Sequence, residues 1–293
     1  MKVFISSVRR GLEAERDALP GLLAALGHEP KRFEDYSAQI GSRQRHVWAW
    51  ERIRIARPLA IATTAAIVLL AATSWVSHWD LVVDQWGNDL EFFVSVASRW
   101  LTSGDFYDPR QLAGPYEAAI NVDTLYPPAA LLLFLPFVWL PAVLWWAIPL
   151  GIVTWHVARC RPVWWVWPVL ALILWYPRTQ SIIVWGSTGM WIAAVVALGL
   201  RYRWPAALVM LKPTLAPFAL IGVRSRWWWL VGVILFVVSV PMLADYLTAM
   251  SNEGGEFGTL DYSLQDVPTI AIGVIAWWAR TTPVDKPVPR ALL

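Results

Sequence analysis

From Pro58 to Trp79 the chain carries no Asp, Glu, Lys or Arg. A helix crossing the hydrocarbon core of a bilayer needs about 20 such residues, and inside lipid only a helix or a closed barrel satisfies its own backbone. A second uncharged run reaches from Tyr126 to Ala158, and further apolar stretches cover 162–177, 179–200, 204–223, 227–244 and 267–279. With 57% hydrophobic and 15% charged residues, the composition excludes an ordinary soluble enzyme. The pattern predicts an all-α polytopic membrane protein with seven or eight transmembrane helices. The count turns on 126–158, where Pro127, Pro128, Pro136, Pro141 and Pro149 favour short, tilted or broken helices.

The formal net charge of +3 conceals blocks of opposite sign. Residues 1–57 hold 11 basic and 7 acidic side chains, 80–124 hold 8 acidic and 2 basic, 159–226 hold 8 basic and none acidic, and 245–266 hold 5 acidic and none basic. Basic segments stay on the cytoplasmic side. The amino terminus is therefore expected in the cytoplasm of a multi-pass plasma-membrane protein, with outer loops at 80–124 and 245–266 and the 281–293 tail inside. One tension remains in this scheme. With eight full crossings, either Arg159 and Arg161 or Arg201 and Arg203 fall on the outer side. The first residues, MKVFISSVRRGLEAERDALPG, do not read as a cleaved signal peptide, so insertion is expected to rely on internal spans.

Residues 1–41 are a different kind of sequence. KVFISS reads as a short strand, RRGLEAERDALPGLLAALG as an amphipathic helix with Leu12, Leu19, Leu22, Leu23 and Leu26 toward one side, and HEPKRFEDY as a second strand. This is a small cytoplasmic βαβ fragment, followed by a basic linker at 42–57 and the membrane domain at 58–280. Its VFISS and LEAERDAL segments resemble the start of a TIR-like domain found in bacterial defence and signalling proteins. A fragment of this size does not bury a core alone, and no NAD-cleaving chemistry is expected of it.

The outer loop WGNDLEFFVSVASRWLTSGDFYDPRQLAGPYEAAINVDTLYPP carries the residues suited to chemistry. Asp89 opens a stretch in which Leu90, Phe93, Val94, Ala97 and Leu101 recur near helical spacing, predicting a helix along the membrane surface with its apolar face in the headgroups. Asn88 or Asp89 also suits the first turn simply as a cap. Lys212 lies inside an apolar stretch, where an ionisable group is costly and marks function unless it snorkels to the interface. Tyr126, before Pro127 and Pro128, starts a helix or faces a cavity. Tyr107 and Asp108 sit in GDFYDP, as a solvated turn or as sugar contacts.

The order of these features, an acid opening the first outer loop, a surface helix, GDFYDP, LYPP, then GMWIAAVVALGLRYRWPAALVMLKPTLAPFAL with its Leu-Lys-Pro, resembles glycosyltransferase family 87, membrane transferases of the GT-C architecture. The resemblance implies a GT-C-like bundle that moves a hexose, with mannose the expected sugar, from a polyprenyl-phosphate donor to a lipid or glycan acceptor on the outer face. It implies Asp89 as general base, which would take the acceptor's proton as the hydroxyl attacks the anomeric carbon with inversion. Lys212, Arg178 and Arg110 are the candidates to hold the donor phosphate, and Tyr107, Asp108 and Tyr126 to line the substrate cavity. Two other readings stand beside it: a transporter or flippase with Lys212 on its path, and an inactive membrane anchor for the TIR-like fragment. Cys160 and the four scattered His offer no zinc-type spacing. No cofactor is required and no nucleic acid is an expected partner, while the acidic outer loops leave open Mg²⁺ or Mn²⁺, which favour carboxylate oxygens.

Overall fold

The computed structural model describes residues 2–5, 25–26, 29–32, 56–119, 122–254 and 263–281. The chain divides into two compact units, residues 1–59 and 60–293. In the first, β1 (Lys2–Ile5) and β2 (Glu29–Arg32) pair in parallel, with Lys2 opposite Glu29 and Ile5 opposite Arg32. Parallel strands need a crossover connection. The helix expected to supply it falls outside the described residues apart from Ala25 and Leu26, as do most of the basic linker and the 282–293 tail.

The membrane unit consists of α1 (Ala56–Ser77), α2 (Trp79–Gln85), α3 (Asn88–Ser103), α4 (Pro109–Ala113), α5 (Pro128–Val138) and α6 (Val143–Cys160), then α7 (Trp164–Trp175), α8 (Pro177–Trp185) and α9 (Gly189–Tyr202). Two 3-10 segments follow, Trp204–Leu211 and Pro213–Gly222, before α10 (Arg226–Ser239), α11 (Leu243–Asn252) and α12 (Val267–Trp278). Proline opens several of these elements, at Pro109, Pro128, Pro177 and Pro268, where its missing N–H costs no hydrogen bond.

Among the described residues, three helices are long and apolar enough to cross a membrane: α1, α6, and α10 continued into α11. The pair α8 and α9 makes a fourth if taken as one span, bent by 104°. Leu59, Ile61, Leu69, Leu70 and Val76 of α1 and Val233, Phe236 and Val237 of α10 are exposed, an arrangement that suits lipid as the surrounding solvent. The unit is thus the all-α membrane architecture expected.

Two stretches depart from the simple span count. Residues 126–158, where the prolines favour short or broken helices, form one short helix, α5, and one long one, α6. Residues 204–223, expected as a single crossing, fold back on themselves at Lys212. Gly222 packs against the Arg203 carbonyl so closely that a Cβ at 222 would overlap it, so the stretch ends where it began. Its length equals one span in sequence, but 3-10 geometry divides it into two short limbs joined at Lys212 and Pro213.

This reversal gathers the basic residues. The Arg201 guanidinium lies 5.4 Å over the Trp155 ring of α6, and Pro162 bridges to Arg280 after α12. Arg159, Arg161, Arg201, Arg203, Arg224, Arg226 and Arg280 therefore cluster at one end of the unit, without the conflict that eight full crossings produced. At the other end the two acidic loops meet: Tyr116 N–H donates to the Asn252 carbonyl at 3.0 Å, and Asn252 Nδ2 to the Gln111 carbonyl at 3.0 Å.

The surface helix is present as α3, but its apolar face packs into protein rather than headgroups. Leu90, Phe93, Val96 and Ala97 are buried, and Phe93 stacks on Phe134 with ring centroids 4.4 Å apart. Val94 is half-buried against the same cluster, and of the expected apolar positions Leu101 is exposed. Elsewhere small residues bring backbones together. A Cβ on Gly199 of α9 would lie 2.8 Å from Ala206 Cβ, and Ala193, Ala206, Ala207 and Ile270 share one buried cluster.

Candidate functional site

The break between α8 and α9 organises the site. Gly186 ends α8 with φ +73°, in the left-handed region open to glycine, and a Cβ there would lie 3.0 Å from Trp146. Trp145 Nε1 donates to the Gly186 carbonyl at 2.6 Å, holding the turn against α6. Ser187 and Thr188 then project from the turn before α9 begins, both buried.

Three further elements converge here. Gly87, the N-cap of α3, has φ +83° and donates its N–H to the Val184 carbonyl at 2.9 Å, which fixes the start of α3 beside the end of α8. Asp89, one residue into α3, lies beside Ser187. Tyr126 enters from the LYPP stretch, its hydroxyl 2.7 Å from Thr188 Oγ1. Opposite them, Lys212 at the fold-back donates from Nζ to Asp266 Oδ2 at 2.5 Å, and Arg178 of α8 donates from Nε to Asp266 Oδ1 at 3.1 Å. Asp266 is wholly buried and Lys212 nearly so, at 8% exposure.

Asp89 feels all of these charges. Burial pushes its carboxyl up from the ordinary 3.8 to about 6. The Ser187 bond, Arg178 and Lys212 pull the other way, and the Asp266 carboxylate adds to the upward push. A carboxylate held near 6 beside two cations is equipped to take a proton near neutral pH, next to a place where an anion is stabilised.

The remaining sequence candidates serve the loop around this site. Tyr107 is buried and donates from its hydroxyl to the Tyr126 carbonyl at 2.8 Å, so it braces the residue that reaches Thr188. Asp108 N-caps α4, accepting from the Arg110 N–H at 3.0 Å in a capping box with Gln111. Arg110 pairs with the buried Asp123 through both carboxylate oxygens, at 2.6 and 2.5 Å, while half its side chain stays exposed. These two residues stitch the 80–124 loop and are not part of the Asp89 cluster. The structure thus brings Asp89, Arg178, Lys212 and Tyr126 together, with Tyr107 behind them.

Sequence reasoning missed Asp266, Ser187 and Thr188. Asp266 stands before Val-Pro at a helix start and looks like any N-cap, yet it makes no capping bond. Its salt-bridge partners lie 54 and 88 residues away, beyond any local pattern. Ser187 and Thr188 had a readable signal, since a Gly-Ser-Thr-Gly run interrupting an apolar stretch marks a broken helix.

A groove of about 310 Å³ opens between α1, α2 and α8, lined by Trp75, His78, Gln85, Gln180, Ser181 and Trp185 among others. It lies along the helix that carries Arg178. Among the described residues, no group of three or more His, Cys, Asp or Glu side chains is placed to hold a metal ion. No protein-family model, curated protein or solved structure matches the chain.

Proposed function

We propose that this chain is an integral membrane glycosyltransferase of GT-C type, carrying a hexose from a polyprenyl-phosphate donor to an acceptor hydroxyl with inversion. The observation that carries the reading is the Asp89 carboxyl, raised to about 6 and facing the Lys212 and Arg178 cations. In the proposed reaction the acceptor oxygen forms a bond to the anomeric carbon while the bond from that carbon to the donor phosphate breaks. The acceptor's proton passes to Asp89, and the departing prenyl phosphate takes the electron pair, gaining one negative charge. Lys212 and Arg178 stabilise that charge where little water competes. Tyr126 and Thr188 sit beside Asp89 and would orient the sugar hydroxyls. The groove beside α8 offers a path for the prenyl chain, and mannose is the sugar that the family resemblance favours.

In the accompanying topology the chain crosses six times, through α1, α6, α7, α9, α10 with α11, and α12, with α5 and the 204–222 fold-back entering from opposite faces without crossing. That arrangement puts the amino terminus and the clustered arginines in the cytoplasm and Asp89 outside, in keeping with the charge bias. The helices α7 and α12 are short, about 18 Å each at 1.5 Å per residue, so the bilayer would be thin around them. The plasma membrane is the location that accompanies this reading.

A second reading draws on the same geometry. Broken helices with polar residues at the break, next to buried ionisable groups, also build transporter sites, and the α8–α9 bend with Lys212 and Asp266 fits that description. The experiment that separates the two uses purified protein in lipid nanodiscs and in sealed vesicles with a radiolabelled prenyl-phosphate hexose. New glycosidic product in nanodiscs supports the transferase. Movement of label across vesicles without product supports the transporter.

A further inference from the structure

We propose that Asp266 is a positioning residue of this site: its carboxylate holds the Lys212 ammonium and the Arg178 guanidinium side by side as a preformed phosphate clamp and sets its own negative charge at the helix break that Asp89 faces. The inference rests on the transferase reading for its consequence in catalysis, while its electrostatic part rests on the place of Asp266, against Gly189 at the same α8–α9 break that Asp89 faces. Asp266 sits immediately before α12, where an aspartate ordinarily caps the helix, and forgoes that bond. Each carboxylate oxygen takes a different cation, Oδ1 from Arg178 on α8 and Oδ2 from Lys212 at the fold-back. A single group therefore fixes the separation of two charges that reach it from distant parts of the chain.

The surroundings hold that group in turn. Next to Arg178, Thr179 Oγ1 lies 3.0 Å from Thr269 Oγ1 on the first turn of α12, a buried contact that sets α8 against α12. At Gly189, which opens α9, a Cβ would come within 3.2 Å of Asp266 Oδ2, so the carboxylate lies against the amino-terminal end of that helix. On Asp89 bear Arg178 from α8, Ser187 from the break, Lys212 from the fold-back, Asp266 from the start of α12 and, through its phenol, Tyr126.

The charge balance gives the inference its chemistry. Two cations meet two carboxylates, so the resting cluster is near neutral. The donor phosphodiester brings one negative charge and the departing phosphate a second. Without Asp266 the cations would bind that phosphate more strongly and bear on Asp89 unopposed, making a tighter but less basic site.

The test follows the Asp89 carboxyl by infrared pH titration, as the difference between the full-length protein and its Asp89→Asn variant, in nanodiscs without substrate. Replacing Asp266 by Asn removes a negative charge facing Asp89, so the titration midpoint should fall by about 0.3 unit or more, at least a roughly twofold loss in proton affinity. Asp266→Glu keeps the charge and should hold the midpoint. Asp266→Ser, smaller and neutral, supplies the same comparison where the Asn variant does not fold. In the transfer assay the neutral variants should lose about 100-fold in kcat, the scale of a misplaced group, while donor KM does not rise. An unchanged midpoint in a folded neutral variant overturns the role of Asp266, whatever the activity. A falling midpoint in a protein whose wild type transfers no sugar overturns the transferase reading alone and keeps the control of Asp89 by Asp266.

Discussion

Replacing Asp89 by Asn should abolish activity and at the same time stabilise the protein above pH 6. The reasoning follows from the direction of the Asp89 shift, from 3.8 to about 6, with burial as its largest cause. A carboxyl whose proton affinity is higher in the folded than in the unfolded chain binds more proton when folded between those two values. Stability therefore falls as pH rises from about 4 to about 6, and the cost stays in full above that. Roughly two units correspond to about 3 kcal/mol as an upper bound, reduced by the contact Asp89 keeps with solvent. Asparagine mimics the protonated acid, can still bond Ser187, and carries no charge to desolvate. Thermal unfolding in detergent should show the variant melting higher than wild type at pH 8, by on the order of 5 °C, and level with it near pH 4. A variant that melts lower at pH 8 would refute the reasoning, since it would mean that attraction to Lys212 and Arg178 outweighs desolvation and that Asp89 is a structural ion-pair partner.

Other consequences are open to direct measurement. The kcat/KM of transfer should rise about tenfold per pH unit below 6 and level off above it, and Lys212→Gln should move that limb upward because a cation favouring the ionised carboxyl is lost; a limb that stays in place would contradict the influence of Lys212 on Asp89. Cysteines placed at Arg203 and Arg224, in a background lacking Cys160, should react with a membrane-impermeant thiol reagent from the same side, and a cysteine at Val122 from the opposite side. Labelling of the 203 and 224 positions from opposite faces would restore the single crossing at 204–223. Gly186→Ala forces a side chain onto a backbone at φ +73° and against Trp146, and should destabilise the protein by about 1–3 kcal/mol in thermal unfolding.

Much of this was readable in residue types, and what was not readable has a physical cause. The first span follows from a run without charge. Lys212 stood out because lysine is costly among apolar neighbours, whereas Arg178 stood level with Arg110 as a basic candidate for the donor phosphate. The fold-back at Lys212 did not show, because hydropathy reports how apolar a segment is and not whether its direction reverses. The hint lay in charges of the same sign at both ends of 204–223, which a single crossing cannot reconcile with the positive-inside bias. Phe93 read as membrane-facing because a lone amphipathic helix carries no record of what covers it, and here Phe134 and Trp145 do. Asp266 was invisible because a carboxylate before a proline-started helix resembles a cap, and only the tertiary fold brings Arg178 and Lys212 to it.

The central claim is that Asp89 acts as the base beside a two-cation phosphate clamp. It is tested most directly by single-turnover transfer from a radiolabelled prenyl-phosphate hexose in nanodiscs, comparing wild type with Asp89→Asn at pH 7.5, a pH chosen about 1.5 units above the Asp89 value. The account predicts inverted glycoside from the wild type and a loss of at least about 100-fold in the variant, the lower end for a general base, with donor binding retained. Equal rates in the two proteins would contradict it.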